Sequence, residues 1–409
     1  MTSEFFDKSA YKNYNVVYTD ASCLSFDVIQ ADFEFESYPQ QVFLVAGSQG
    51  QENDEKLMIM RIDNITEIND ENDTESESES DSDLDDSKDA CNGFGSKKIS
   101  TFSVNIPFKY GCVNRLRMYK TSSGVNLSAC MGSDGTFSIF NVNPAYESLD
   151  DKDMITKFKS IKNFDEFTLF SKKNDNEGYA VAWNGLIEGE IATGDCGGSI
   201  HLWKSDEETW NNYATMSNEE SIEDICWSPS ESTIFAACST DKSIFMCDTR
   251  HKLKKTLIIK NAHQSDVNVI DWSLLDANII VSGSDDKMLN LWDIRTTNKP
   301  FLTIKQHIGS ITSVEWNPKE KGVFCASSED DTVVQYDIYI EKDNDGIPTK
   351  NNHVLTDQDL QDVSNIPEQV LFVHGGQEEI KEVHWHKQYT GLVITSSQND
   401  LNIFRTITV

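Results

Sequence analysis

The chain has no apolar run of membrane-spanning length, and its first residues, Met1-Thr2-Ser3-Glu4, lack the basic-then-apolar layout of a secretory leader. Both absences predict a soluble, intracellular protein with no membrane partner. Cations are scarce: 35 Lys and Arg stand against 68 Asp and Glu, a formal net charge of −33. Such a field repels nucleic acid and steers strongly basic ligands inward. The expected partner is therefore cationic, with no direct contact to nucleic acid. The nine cysteines include no Cys-x-x-Cys pair, and Cys130, Cys226, Cys238 and Cys325 lie inside apolar strand patterns, as reduced thiols that pack like small hydrophobes do. His384 and His386 flank Trp385 and share one strand face. A metal pair is one reading; with no further His or Cys at ligand spacing, a satisfied strand position is the other, and no metal is called for. The Gly-x-Ser-x-Gly elbow, a Gly-rich oxyanion loop and a lysine-bearing phosphate loop are all missing, so neither an enzyme nor a cofactor is expected.

What the chain does have is a repeat. A strand ending in Trp is followed by a Ser-rich strand, an Asp turn, then an aromatic or Cys and another Asp. The clearest copy runs through His263, Trp272, Ser282-Gly283-Ser284-Asp285-Asp286 and Leu291-Trp292-Asp293. Trp183, Trp227, Trp272 and Trp316 recur at intervals of 44 or 45 residues, as do Trp203, Cys247, Trp292 and Tyr336. That is the period of a WD-repeat blade, a four-stranded sheet that buries its faces only by stacking into a ring. The fold class follows: all-β, a seven-bladed WD-repeat β-propeller.

Alternating apolar positions bounded by Gly, Asn, Asp and Ser place the blades. Blade one uses residues 23–28, 42–46 and 57–62; blade two uses 113–118, 127–132 and 136–140. Blades three to six close at Trp203, Cys247, Trp292 and Tyr336, and blade seven runs from Ile380 to Phe404. Residues 14–18 are left over while blade seven lacks an outer strand, so the N-terminal strand is expected to complete it. Ahead of it, Phe5, Phe6 and Tyr11 at helical spacing predict a short helix within residues 1–13, leaving 14–409 as the propeller. Three insertions break the period. Residues 67–89 hold a dozen Asp and Glu interspersed with Ser and are expected to be disordered. Residues 143–176 carry an amphipathic pattern that predicts partly helical structure, and 341–367 read as a polar loop.

Six residues before the closing aromatic of each blade, a regular repeat has an Asp in a tight turn. Asp134, Asp241, Asp286 and Asp330 hold that place; Gly197 and Gln398 depart from it. With His263 and Ser282, Asp286 is expected to form a buried hydrogen-bond chain to the Trp292 indole, a structural device and not a catalytic triad.

The rim where inner strands begin is the expected binding surface. The residues flanking the first apolar position of each inner strand point there: Glu177 and Tyr179, Ser221 and Glu223, Asp266 and Asn268, Ser310 and Thr312, Glu379 and Lys381. Glu219, Glu220, Asp224 and Glu378 add to it. Five blades thus lean acidic around one opening, a focusing geometry for Lys and Arg side chains. The plainer alternative is a merely solvated polar rim.

Several strings in the chain resemble those of the glutamate-rich WD-repeat family of ribosome-biogenesis chaperones. They include Thr193-Gly194-Asp195-Cys196, Ile200-His201-Leu202-Trp203, Ser221-Ile222-Glu223-Asp224, Lys305-Gln306-His307, Leu371-Phe372-Val373-His374 and Phe404-Arg405-Thr406-Ile407. The resemblance covers nearly the whole chain, acidic insertion included. It implies a monomeric, non-enzymatic chaperone that captures the basic N-terminal segment of ribosomal protein L-three and delivers it to nucleolar pre-ribosomes. It also implies a nuclear and nucleolar location with a cytoplasmic pool. Related propellers bind histones, so histone binding is a second implication. The family carries an acidic extension ahead of the N-terminal helix, whereas this chain starts almost at the helix; a role for that extension is not carried over. A rival reading is a substrate receptor of a cullin-type ubiquitin ligase, because Trp292-Asp293-Ile294-Arg295 fits an adaptor-binding Trp-Asp-x-Arg motif, echoed by Cys247-Asp248-Thr249-Arg250. Against it stands a simple strand end with an Arg cap.

Overall fold

The computed structural model describes residues 8–19, 21–31, 38–50, 54–68, 91–93, 99–206, 209–251, 253–340 and 367–409. Seven antiparallel sheets, one per blade, make up the ring. Blade five shows why the period yields this unit: Val267–Trp272, Ile279–Ser284, Leu289–Asp293 and Leu302–Ile304 are short strands joined by turns, so sequence neighbours pair antiparallel from the channel outward. Their apolar residues pack against the next blade. One cluster joins Ala180, Ile200 and Leu202 of blade three to Ile222, Phe235 and Phe245 of blade four, which is the stacking that no blade achieves alone.

The recurring Trp has a specific task. Trp183 Nε1 donates to Arg117 O at 2.9 Å, Trp227 Nε1 to Ala182 O at 3.0 Å, Trp316 Nε1 to Asp271 O at 3.2 Å and Trp385 Nε1 to Glu315 O at 3.1 Å. Each indole thereby binds the inner strand of the preceding blade, satisfying a buried donor while its ring fills the interface.

The ring is closed by the N-terminal strand. Tyr11–Tyr18 pairs with Asp400–Thr406, Tyr14 standing opposite Phe404, and Tyr11 Oη meets His374 Nδ1 at 2.8 Å. This strand starts earlier than the sequence suggests. Of the helix expected within 1–13, only Lys8–Ala10 forms a 3-10 turn, residues 11–13 are strand, and 1–7 lie outside the described residues. Tyr11 packs on Phe372 and Phe404 and not on a helix neighbour, while Tyr14, on the expected strand, packs on His374. Cys91–Gly93 adds a fifth strand beyond Tyr11–Tyr18.

Of the acidic insertion, residues 69–89 lie outside the described residues, as do 341–366 of the polar loop. The segment 143–176 holds helices Asn143–Ser148 and Lys152–Lys159, whose Ile155 and Phe158 pack with Phe108 and Phe140. It also contains Thr168–Lys173, the outer strand of blade two. The sequence hides that strand because it is mostly exposed and carries no buried alternation. Among the described residues no helix is long and apolar enough to cross a membrane.

Candidate functional site

Each inner strand presents alternate residues to the central channel, and there the chain places acids. Asp27 Oδ2 accepts from Met118 N at 2.7 Å, Asp224 Oδ2 from Ile270 N at 3.2 Å, Asp271 Oδ2 from Trp316 N at 2.7 Å, Glu315 Oε2 from Trp385 N at 2.9 Å and Glu382 Oε2 from Phe26 N at 2.9 Å. In every case a carboxylate of one blade holds the backbone of the next, a charge-assisted bond in a poorly solvated place. Blade two supplies cations instead: Arg115 Nη1 and Arg117 Nη1 both sit 2.8 Å from Glu382 Oε1. Burial alone would raise the Glu382 carboxyl, but Arg117, His384 and Arg115 outweigh it and hold it well below the ordinary range. His384 Nδ1 lies 2.9 Å from Glu315 Oε2; burial opposes its protonation, yet Glu315 and Glu382 push it up to about 10. His384 is thus an ion-pair partner of the channel. His386, lowered to about 3 by burial, accepts from the backbone of Gln388 and Tyr389.

Asp224 belongs to this set. Expected on the rim, it faces the channel with its carboxylate committed to the Ile225 and Ile270 amides, and burial holds it above its ordinary value. Its strand, Ile222–Trp227, carries a register irregularity between Ile222 and Asp224, as the inner strands of blades one, two, five and six do at the same place. The other channel acids escaped the sequence reading, although for Asp27, Asp271 and Glu315 the signal was present as a lone charge between apolar neighbours on an inner strand; Glu382, which follows Lys381, carries no such signal.

Above the channel, the rim residues fall into two groups. Asn114 Nδ2 donates to Glu177 Oε2 at 3.2 Å, Arg115 Nε to Tyr179 O at 2.6 Å, Ser221 Oγ to Glu223 Oε1 at 2.5 Å and Asn268 Nδ2 to Asp285 Oδ1 at 2.7 Å. These bonds fix the starts of blades three, four and five. Burial, opposed by Ser221 and Arg115 but reinforced by Asp266 and Asp224, holds the Glu223 carboxyl above its ordinary value, and the Tyr179 phenol is raised by burial and by Glu177. Glu177, Glu223 and Asp266 therefore share one field, and among the described residues none of them has an ion-pair partner.

The other side differs from the expected acidic circle. Glu379 Oε2 pairs with Lys381 Nζ at 3.1 Å, which offsets one of blade seven's two acids and leaves exposed Glu378 beside it, and blade six offers Ser310 and Thr312. Glu219 lines a separate outer groove with Lys255 and Lys260; Glu220 is exposed at the same blade junction. The acidic ring is in fact a crescent over blades three to five.

The turn aspartates also divide. His263 Nδ1 is 3.1 Å from Asp286 Oδ2, His263 Nε2 is 2.8 Å from Ser282 Oγ, and Trp292 Nε1 donates to Ser282 Oγ at 3.0 Å. Burial would raise Asp286, but bonds from His263 and Gln264 N keep it lowered. Asp330 repeats the contact with His307 Nδ1 at 3.0 Å. Asp134 and Asp241 have no His partner: they close their turns onto Thr136 N and Ser243 N, each at 2.8 Å, and Asp134 also takes Lys173 Nζ at 3.3 Å. In blade three, where Gly197 breaks the pattern, Asp195 takes the turn by accepting from Ser199 N at 2.9 Å. No group of His, Cys, Asp and Glu able to hold a metal occurs among the described residues.

A ring of seven antiparallel blades with this spacing of Trp and Asp defines a WD-repeat β-propeller. The chain is 31% identical to the ribosome assembly protein rrb1 of Schizosaccharomyces pombe, over 98% of this chain and 81% of that protein. It is 34% identical to the glutamate-rich WD repeat-containing protein 1 of Dictyostelium discoideum, again over 98% and 81%. It belongs to the glutamate-rich WD-repeat family that these two represent. The histone-binding protein MSI1 of Saccharomyces cerevisiae is 25% identical over 46% of each chain. A family model described as eukaryotic translation initiation factor eIF2A matches residues 193–340, a stretch of blades. Among solved structures, the WD40 β-propeller domain of Doa1 superposes with a TM-score of 0.60 over 97% of both chains at 14% identity, a likeness of fold.

Proposed function

We propose that this protein is a non-catalytic ribosome-assembly factor that holds a Lys- and Arg-rich segment of a newly made ribosomal protein, the basic N-terminal segment of ribosomal protein L-three, and hands it to nucleolar pre-ribosomes. The observation that carries the reading is the crescent of Glu177, Glu223 and Asp266, acids on fixed strand starts with no ion-pair partner among the described residues. Preformed carboxylates without counterions are suited to guanidinium and ammonium groups, because little reorganisation is needed on binding. Membership in a family that includes a ribosome assembly protein supports the ribosomal client. Release needs no chemistry: ribosomal RNA is a denser polyanion and competes the client away. The place of action is the nucleus and nucleolus, with a cytoplasmic pool where the client is made.

Histone binding is the second reading, favoured by the likeness to a histone-binding propeller. The two are separated by competition: the purified protein is titrated with the L-three N-terminal peptide and with a histone H3 tail peptide at matched charge and ionic strength. A tenfold preference for the L-three peptide is expected; equal binding, or preference for the histone tail, would overturn the client assignment. For a ligase adaptor the support is weaker, since Arg295 braces its own turn through Asp293 at 2.9 and 2.6 Å and Arg250 does the same with Asp248.

A further inference from the structure

Beside the acidic crescent, the channel mouth forms a depression of about 410 Å³ lined by Leu24, Ile311, Ile380 and Tyr179, with Asn114, Asn268, Ser310 and Thr312 between them. Its charged lining is mostly cancelled from within. Lys381 is held by Glu379 at 3.1 Å and Arg115 by Glu382 at 2.8 Å, leaving Glu329 as the remaining charged lining residue. Arg115 shares Glu382 with Arg117, so its charge is only partly offset and opposes an approaching cation, and it is kept in place by its bond to Tyr179 O at 2.6 Å. A Lys or Arg entering this depression would give up water beside the Arg115 guanidinium, with Glu329 as the one lining carboxylate that has no ion-pair partner among the described residues. An uncharged apolar side chain would lose little and bury its surface.

The depression is continuous with the crescent. Tyr179 lies two residues from Glu177 across buried Gly178, just ahead of the inner strand, and Asn268 two residues from Asp266 across Val267, the first residue of its strand. An extended segment laid over the crescent therefore places neighbouring side chains alternately over carboxylates and over the mouth.

We propose that the mouth is an anchor pocket for an uncharged, Leu-sized apolar residue set among the client's Lys and Arg residues. The client is thus recognised as a cationic segment with an embedded hydrophobe and not as a polycation alone. This rests on the crescent being the client site. It also supplies the selectivity that charge lacks, because every basic segment in the cell satisfies three carboxylates but few place an apolar side chain at the right step.

The test uses the full chain and three synthetic peptides of Lys, Arg and Gly that differ at one central position: Leu, Ser or Lys. Burying a Leu against leaving a Ser predicts about tenfold tighter binding of the Leu peptide, with the Lys peptide no better than the Ser peptide despite its extra charge. In Ser310→Trp, which fills the mouth, and in Leu24→Ser, which removes its wall, the ratio of Leu to Ser affinities falls toward one; melting curves confirm that both variants fold. Equal binding of Leu and Ser peptides to the wild type, or tightest binding of the Lys peptide, overturns the pocket while leaving the crescent standing. If no peptide binds at physiological salt, the crescent falls and the pocket with it.

Discussion

Arg115 Nη1 lies 2.8 Å from Glu382 Oε1, an ion pair that reaches from blade two to blade seven past blade one. The same carboxylate takes Arg117, Ser25 Oγ and Phe26 N, so one buried acid ties three blades together.

Replacing Glu382 by Ala strands two guanidiniums and a backbone amide in the channel wall. A loss of about 3–5 kcal/mol in denaturant melts is expected, as for other buried pairs broken from one side. Glu382→Gln keeps the shape and one acceptor and should cost less. Equal, small losses for both would mean that water in the channel solvates the arginines.

His384 makes the ring sensitive to alkali. Its folded value of about 10 exceeds the ordinary 6.5, so its contribution is complete below about pH 6.5 and lost as pH rises toward 10. The wild type should lose stability over that window by up to about 1.4 kcal/mol per pH unit from this proton. His384→Gln should be less stable at pH 7 and flatter across the window. Parallel curves for the two proteins would assign the alkaline loss to other groups.

Asp286 and Asp241 occupy the same turn with different partners. Asp286→Ala leaves His263 and the Gln264 amide without their acceptor, an expected cost of about 1–3 kcal/mol. Asp241→Ala loses only local bonds to Ser243 and should cost well under half as much. Equal costs in urea melts would show that the turn, not the His network, is what the Asp supports.

Blade count, strand order and the Asp286 network are legible in the sequence because Trp and Asp recur with the blade period; most of the inner-strand Trp indoles bond the preceding blade, while Trp272 bonds Ala277 O in its own blade. Asp224 and the crescent are less so. A rim position and a channel position differ by one residue along an inner strand, and neighbouring acids such as Glu223 and Asp224 fall on different sides of that divide. Whether an acid is free also depends on which side chains reach it: Glu379 has Lys381 two residues on and pairs with it, whereas Glu223 has no cation at that spacing and accepts from Ser221 Oγ. Thr168–Lys173 shows the same limit for strands, since an exposed outer strand carries no apolar alternation.

The most direct test of the account is titration of the L-three N-terminal peptide against the wild type, a crescent variant Glu177→Lys/Asp266→Lys and a control variant Asp150→Lys/Glu166→Lys. The control makes the same change in net charge on exposed residues of the helical insertion. The crescent variant should bind at least tenfold more weakly, about 1.4 kcal/mol, with unchanged melting, while the control stays near the wild type at physiological salt. If the crescent variant binds like the wild type, or if both variants weaken equally, the client is held by overall charge and the crescent is not its site.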